Sequence, residues 1–235
     1  NKIVGGEVYK TRGIRNNPEI DYEANFRELT DLDEKLKSFV RPGGNIRFTN
    51  DGPMAAFTAA VEMAASDLAD EVEQGIFAFT LGTELGTGWL DEKGEIPEIP
   101  LEVYNYIIDL GSFPEKAYEP DEARSLNNFN TGLPGTLQKC ACQSGVFRLA
   151  LKYFPKERPD LFQELFSKGF LIEEERKGRK GYYVPVAPKD MRKPLLEHLM
   201  SLPDRENCEV CKRIFREVGE FLAVTCIETD DILHP

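Results

Sequence analysis

The stretch Phe77-Ala78-Phe79-Thr80-Leu81-Gly82-Thr83-Glu84-Leu85-Gly86-Thr87-Gly88-Trp89-Leu90 constrains this chain more than any other. Apolar residues run into a turn with three glycines and two threonines within seven residues, then run out again. That pattern predicts a short strand, a tight loop and a returning strand. Gly82, Gly86 and Gly88 allow a close approach of backbone to something else. Thr83 and Thr87 add hydroxyls beside the exposed amides. Amides and hydroxyls gathered in one neutral loop suit a phosphate, although a glycine-rich hairpin is more often only a turn.

A chain of 235 residues can bury a substantial core, as one large domain or two small ones. The formal charge of -12 argues against a general nucleic-acid binder, which needs a basic surface. No apolar run approaches the ~18 residues of a membrane span. The opening Asn1-Lys2-Ile3-Val4-Gly5-Gly6 has neither an initiator Met nor the layout of a signal peptide, and reads as the interior of a longer protein. Five cysteines, an odd number in a long chain, fit reduced thiols in a cytoplasmic protein better than a disulfide framework.

In chain order, Ile3, Val4, Val8 and Tyr9 predict one or two strands, and Asn16-Asn17-Pro18 a turn. Phe26, Leu29, Leu32, Leu36 and Phe39 recur at helical spacing over residues 22–40, and Arg41-Pro42-Gly43-Gly44 ends that helix. A strand over 45–49 leads into Asn50-Asp51-Gly52-Pro53, where Pro53 suits the first helical position. The helix beyond is alanine-rich and is expected to be central and closely packed. Asp51 is either the cap of that helix, the commoner role, or a carboxylate placed to take a proton from a substrate hydroxyl.

Asp91-Glu92-Lys93-Gly94 reads as a turn, and residues 102–109 alternate like a strand. Residues 111–138 are expected to be irregular. Helices follow over about 144–154, ended by Pro155, and over 160–168, entered through Pro159. Residues 170–186 read as a hairpin with Arg176-Lys177-Gly178-Arg179-Lys180 at its tip. A helix followed by a basic-tipped hairpin suggests a winged DNA-binding module, but an acidic chain favours a solvated turn. The last helices run over 195–202, stopped by Pro203, and about 206–228, with Cys211, Ile214, Phe215, Val218, Phe221, Leu222 and Thr225 on one face.

Two motifs taken in order resemble the ROK family of sugar kinases and repressors, within the actin-like ATPase superfamily. Thr49-Asn50-Asp51-Gly52, followed by Ala55-Ala56 and Ala59-Ala60-Val61-Glu62, is similar to the family's Asn-Asp-Ala-Asn-x-Ala-Ala…Glu segment. Leu81-Gly82-Thr83-Glu84-Leu85-Gly86-Thr87-Gly88 is similar to its phosphate loop, and Ile214–Leu222 to the helix before its adenosine-binding glycines. The resemblance covers roughly residues 1–109 and 208–235.

It implies an α/β fold of the actin-like (ribonuclease H-like) type, a mixed sheet with flanking helices. Residues 1–50 would end an N-terminal lobe and crossover, and 51–235 would form the substrate-side lobe with an irregular or helical insertion around 111–205. Asp51 would be general base on a sugar hydroxyl, Asn50 and Glu102 would bind the sugar, and Gly82, Thr83, Gly86 and Thr87 would face the phosphates of ATP, with Mg²⁺. Its implied partners are a sugar and a nucleotide, with neither membrane nor nucleic acid, and a homodimer is one assembly it allows. Glu84 stands where the family's loop has a glycine, and Glu102 has no His near it. Those departures keep open a non-catalytic, sugar-sensing relative. The first phosphate motif is absent and the chain stops before the adenosine glycines, so this stretch by itself is expected not to turn over ATP.

Cys140-Ala141-Cys142 begins like the family's structural zinc motif, and Cys208-Glu209-Val210-Cys211 could complete a Cys₄ zinc site. Buried reduced thiols are the stronger expectation, since Cys211 falls on the apolar face of the last helix. His198 and His234 are isolated and read as structural or exposed.

Overall fold

The computed structural model describes residues 2–4, 7–9, 32–46, 49–82, 85–97, 102–109, 117–205 and 207–233. Among them the chain is mixed α/β, with strands that pair two by two. In order these are β1 (Lys2–Val4), β2 (Glu7–Tyr9), α1 (Leu32–Lys37), α2 (Asp51–Ala64), β3 (Ile76–Leu81), β4 (Leu85–Leu90), α3 (Leu137–Ala141), α4 (Gln143–Glu157), α5 (Pro159–Ser167), β5 (Ile172–Arg176), β6 (Arg179–Tyr183), α6 (Arg192–Arg205) and α7 (Glu209–Leu233). β1 pairs β2, β3 pairs β4, and β5 pairs β6. The expected larger mixed sheet is not found among the described residues. Each pair joins strands close in sequence, the pairing that a tight turn alone can specify. The predicted turn at 16–18 and residues 22–31 of the predicted first helix lie outside the described residues, as do Thr83 and Glu84.

The chain divides into two compact units, one of Asn1–Phe79 with Thr87–Leu101, the other of Thr80–Gly86 with Glu102–His234. In the first unit α2 begins at Asp51, because Asn50 turns extended and its carbonyl accepts the amide of Met54 at 3.1 Å. Pro53 is therefore the third helical residue rather than the first. Its missing N–H still costs nothing there, since the residue four positions earlier, Thr49, lies outside the helix. Ala56 packs with Ile76 and Leu90, and Ala59, Ala60, Met63, Val72 and Ala78 close around them. Small side chains on α2 let the hairpin come near. The opposite face of α2 is open, with Met54, Phe57 and Val61 about half exposed. The helix expected to be central and closely packed is packed on one face: of its residues Gly52 and Ala56 are buried. Asn45, Ile46 and Thr49 are not in a strand either, although one was expected there.

In the second unit α3 to α7 surround a core of Leu137, Leu149, Phe154, Leu161, Leu165, Leu195, Leu199, Leu202, Cys211 and Ile214. Along α5, α6 and α7 the spacing places these residues on one face, whereas α3 and the middle of α4 are buried all round. That burial stabilises α3 and α5, which are too short to persist alone. Pro155 and Pro203 lie inside α4 and α6, not at their ends as expected. Each falls within the last turn, where a proline removes one backbone bond and little helix remains to lose. α5 closes on Gly169, left-handed at φ +69, and the amide of Phe170 returns to the carbonyl of Leu165 at 2.9 Å. The predicted hairpin follows, antiparallel from Ile172↔Tyr183 to Arg176↔Arg179, turning through Lys177 and Gly178 at positive φ.

Residues 102–109, expected as a strand, instead hold a 3₁₀ turn over Val103–Asn105 and a single bridge between Ile107 and Thr136. Local side-chain bonding overrides the alternation: Glu102 accepts hydrogen bonds from the residues two and three positions on. Residues 117–136 are irregular, as predicted, and are tied down by side-chain to backbone bonds.

Candidate functional site

The two motifs paired by sequence meet in the first unit through bare backbone. A Cβ on Gly52 would overlap the carbonyl of Thr87, and one on Gly88 would overlap the carbonyl of Gly52. The start of α2 therefore lies against β4 at the glycine-rich stretch. Asp51 is exposed at the first position of α2, and one carboxylate oxygen accepts the amide of Gly52 at 3.0 Å. The capping position belongs to Asn50, whose side chain makes no capping bond. Asp51 is thus a solvent-facing carboxylate at a helix start.

At the hairpin tip, in the second unit, Gly82 is exposed and its carbonyl accepts the amide of Gln143 at 3.3 Å, fastening the turn to the start of α4. Gly86 lies so close to the hydroxyl of Thr80 that a Cβ would displace it. An exposed glycine, a bare glycine backbone and a neighbouring hydroxyl are groups able to hydrogen-bond an anionic oxygen. Thr80 is a hydroxyl that the glycine pattern did not single out. Thr87 is buried at 8% exposure, in the contact with Gly52, which removes its residue from the open surface. Thr83 lies outside the described residues.

Glu102, half-buried in the second unit, accepts the phenol of Tyr104 at 2.7 Å and the amide of Asn105 at 3.3 Å on the same oxygen. Asn105 in turn accepts the side-chain amide of Asn128 at 3.2 Å. Asn128 is fully buried: its amide also donates to Thr136 at 3.2 Å, and its oxygen accepts the amides of Asn130 at 2.7 Å and Thr131 at 3.1 Å. Both donors and both acceptor positions of Asn128 are used, so its orientation is set and passes to Asn105 and Glu102. A carboxylate, a phenol and an amide held side by side match the donors and acceptors of vicinal hydroxyls. Tyr104, Asn105 and Asn128 escaped the sequence reading; the signal was Glu102-Val103-Tyr104-Asn105, obscured by its strand-like alternation.

A second polar centre lies beneath residues 117–131. Lys139 of α3 is 1% exposed and donates to the carbonyl of Pro120 at 2.7 Å, with its ammonium 3.9 Å from the centroid of the Phe129 ring. Burial lowers Lys139 to about 7, against the opposing pull of the Glu122 carboxylate. Glu122, also buried, accepts from Arg124 at 3.0 Å and from the amide of Tyr182 at 3.2 Å. Nothing in the sequence separates Lys139 from a surface lysine of a short helix.

The basic hairpin tip is neutralised by its own chain. Arg176 pairs with Asp121 and Glu174, Lys177 with Glu119 and Lys180 with Glu173, while Arg179 donates to the carbonyl of Ala117. Cys140, Cys142, Cys208 and Cys211 are buried and none is in a disulfide. Burial pushes the Cys140 thiol up to about 11. Among the described residues no three of His, Cys, Asp and Glu come together to hold a metal ion. His198 is buried, stacked on Phe170 and 3.7 Å from Glu164, a structural placement. No helix among the described residues is long and apolar enough to cross a membrane. No family model, curated protein or solved structure matches this chain.

Proposed function

We propose that this chain is the substrate-side part of a cytoplasmic sugar kinase of the ROK kind, with an actin-like ATPase fold, transferring the γ-phosphoryl of ATP to a sugar hydroxyl. The observation that carries the reading is the backbone contact of Gly52 with Thr87 and Gly88, which ties the Asn50-Asp51 motif to the glycine-rich strand. Asp51, exposed and at the helix start, accepts the proton of the attacking hydroxyl. Gly82 and Gly86, with Thr80 beside them, hold phosphate oxygens through backbone amides and a hydroxyl. Glu102 and Asn105 orient the sugar. ATP with Mg²⁺ supplies the transferable group and the charge neutralisation that it requires.

A second reading, a sugar-binding protein without phosphoryl transfer, is favoured by the burial of Thr87 and by Glu84 in the loop. One experiment divides the two: the full-length protein is given ATP, Mg²⁺ and a panel of hexoses and N-acetylhexosamines, and ADP release and sugar phosphate are measured beside calorimetric sugar binding. Turnover lost in Asp51→Asn supports the kinase. Sugar binding without turnover supports the sensor, and neither binding nor turnover with any sugar overturns both.

A further inference from the structure

Among the described residues of the second unit the Lys139 side chain is the most completely enclosed cation, and its surroundings are unequal to an ammonium ion. Three N–H donors meet one carbonyl oxygen, that of Pro120, and one aromatic face, that of Phe129. Water would offer an acceptor to each. From the 117–122 segment Asp121 and Glu122 face the lysine, but both are engaged elsewhere: Asp121 with Arg176 of β5, and Glu122 with Arg124 and the Tyr182 amide of β6. From α4 comes a like charge, Arg148, buried and donating its Nε to the carbonyl of Lys139 at 3.0 Å. The charged form therefore gives up hydration for little in return, in keeping with a lysine lowered to about 7.

Both anchors of the lysine, Pro120 and Phe129, belong to the irregular segment 117–131, and whatever lifts that segment from α3 returns Lys139 to water. We propose that opening of residues 117–131 is coupled to uptake of one proton by Lys139, so that acidification towards neutral pH loosens the segment. The segment includes Asn128, which sets Asn105 and Glu102. The same opening therefore releases the Glu102 cluster, a consequence for sugar binding that rests on the reading above; the coupling itself does not.

Hydrogen exchange tests it without any ligand. Opening constants for peptides within 117–131, corrected for the intrinsic exchange rate, are measured at several pH values from 7 to 9 in wild type and Lys139→Met, with α5 as internal control. The expected result is a fall of up to about tenfold per pH unit in wild type, the limit for one proton. Peptides of α5 show a smaller slope, and Lys139→Met shows none in the segment. A flat wild-type profile, or an equal slope in Lys139→Met, overturns the proposal. Should Lys139→Met not fold, ¹³C-lysine NMR titration of the wild type decides. One lysine losing its proton well below the rest supports the coupling, and all lysines titrating together near 10.5 overturns it.

Discussion

Gly52 and Thr87 are pressed backbone to backbone, with no room for a side-chain carbon between the α2 start and the β4 carbonyl. Neither partner is a flexible side-chain end, so the contact cannot relax around an added methyl group. Gly52→Ala is expected to destabilise the protein by about 1–3 kcal/mol, the usual range for overpacking. Urea unfolding followed by circular dichroism measures it, and a loss below 0.5 kcal/mol would contradict the contact (about the scatter of surface substitutions).

Asp51, by contrast, is exposed, and its carboxylate accepts the amide of its neighbour. Asp51→Asn should leave the unfolding midpoint nearly unchanged, within about 0.5 kcal/mol. In the kinase reading it removes sugar phosphorylation by about 10²-fold or more, the typical contribution of a general base. Unchanged turnover in a folded Asp51→Asn protein would remove the residue from the mechanism.

Lys139 makes global stability depend on pH with a definite sign. Its folded value lies below the ordinary 10.5, at about 7, so between these values the unfolded chain holds the extra proton. Stability then rises with pH through that window, by up to about 1.4 kcal/mol per unit, and the lysine's influence levels off below it. Denaturation series at pH 7, 8 and 9 should show a rise in wild type that is smaller in Lys139→Met. A larger rise in the variant would reverse the assignment.

Glu122 sits at the junction of the 117–125 segment and the β5–β6 hairpin, bonded to Arg124 and to the Tyr182 amide. Arg124 is half-buried between the rings of Tyr118 and Tyr182. Glu122→Gln keeps the shape but removes the charge opposite that guanidinium, and about 1–3 kcal/mol should be lost. Thermal unfolding at constant pH checks it; a variant as stable as the parent would show that the pair contributes nothing net.

The Arg176–Lys180 tip should bind duplex DNA no better than the rest of the surface, because its cations already face Asp121, Glu174, Glu119 and Glu173. Fluorescence anisotropy with a short labelled duplex at low salt should show no saturable binding. Tight, steeply salt-dependent binding would bring back the winged-module reading.

Elements set by local chemistry were legible in the sequence. The glycine-rich stretch foretold β3 and β4, Pro159 foretold the start of α5, and the basic turn foretold β5 and β6. Propensity, turn residues and periodicity act over a few residues and leave their mark on the chain. Residues 102–109 misled for a related reason: their alternation imitates a strand, whereas Glu102 bonds forward to Tyr104 and Asn105 and closes a 3₁₀ turn. The alanine-rich composition of α2 promised a central, closely packed helix, and the structure packs one face of it.

Of the candidate site, the sequence by itself determined that Asn50-Asp51-Gly52 opens a helix and that Gly82–Gly88 turns a hairpin one helix later. Only the tertiary structure decided that Gly52 lies on Thr87, that Thr87 turns inward, that Asn128 orients Asn105 and Glu102, and that Lys139 lies beneath Phe129. These are contacts between residues distant in sequence or held by irregular loops. Burial and desolvation act on such groups only once the chain has brought them together, and no local pattern records that.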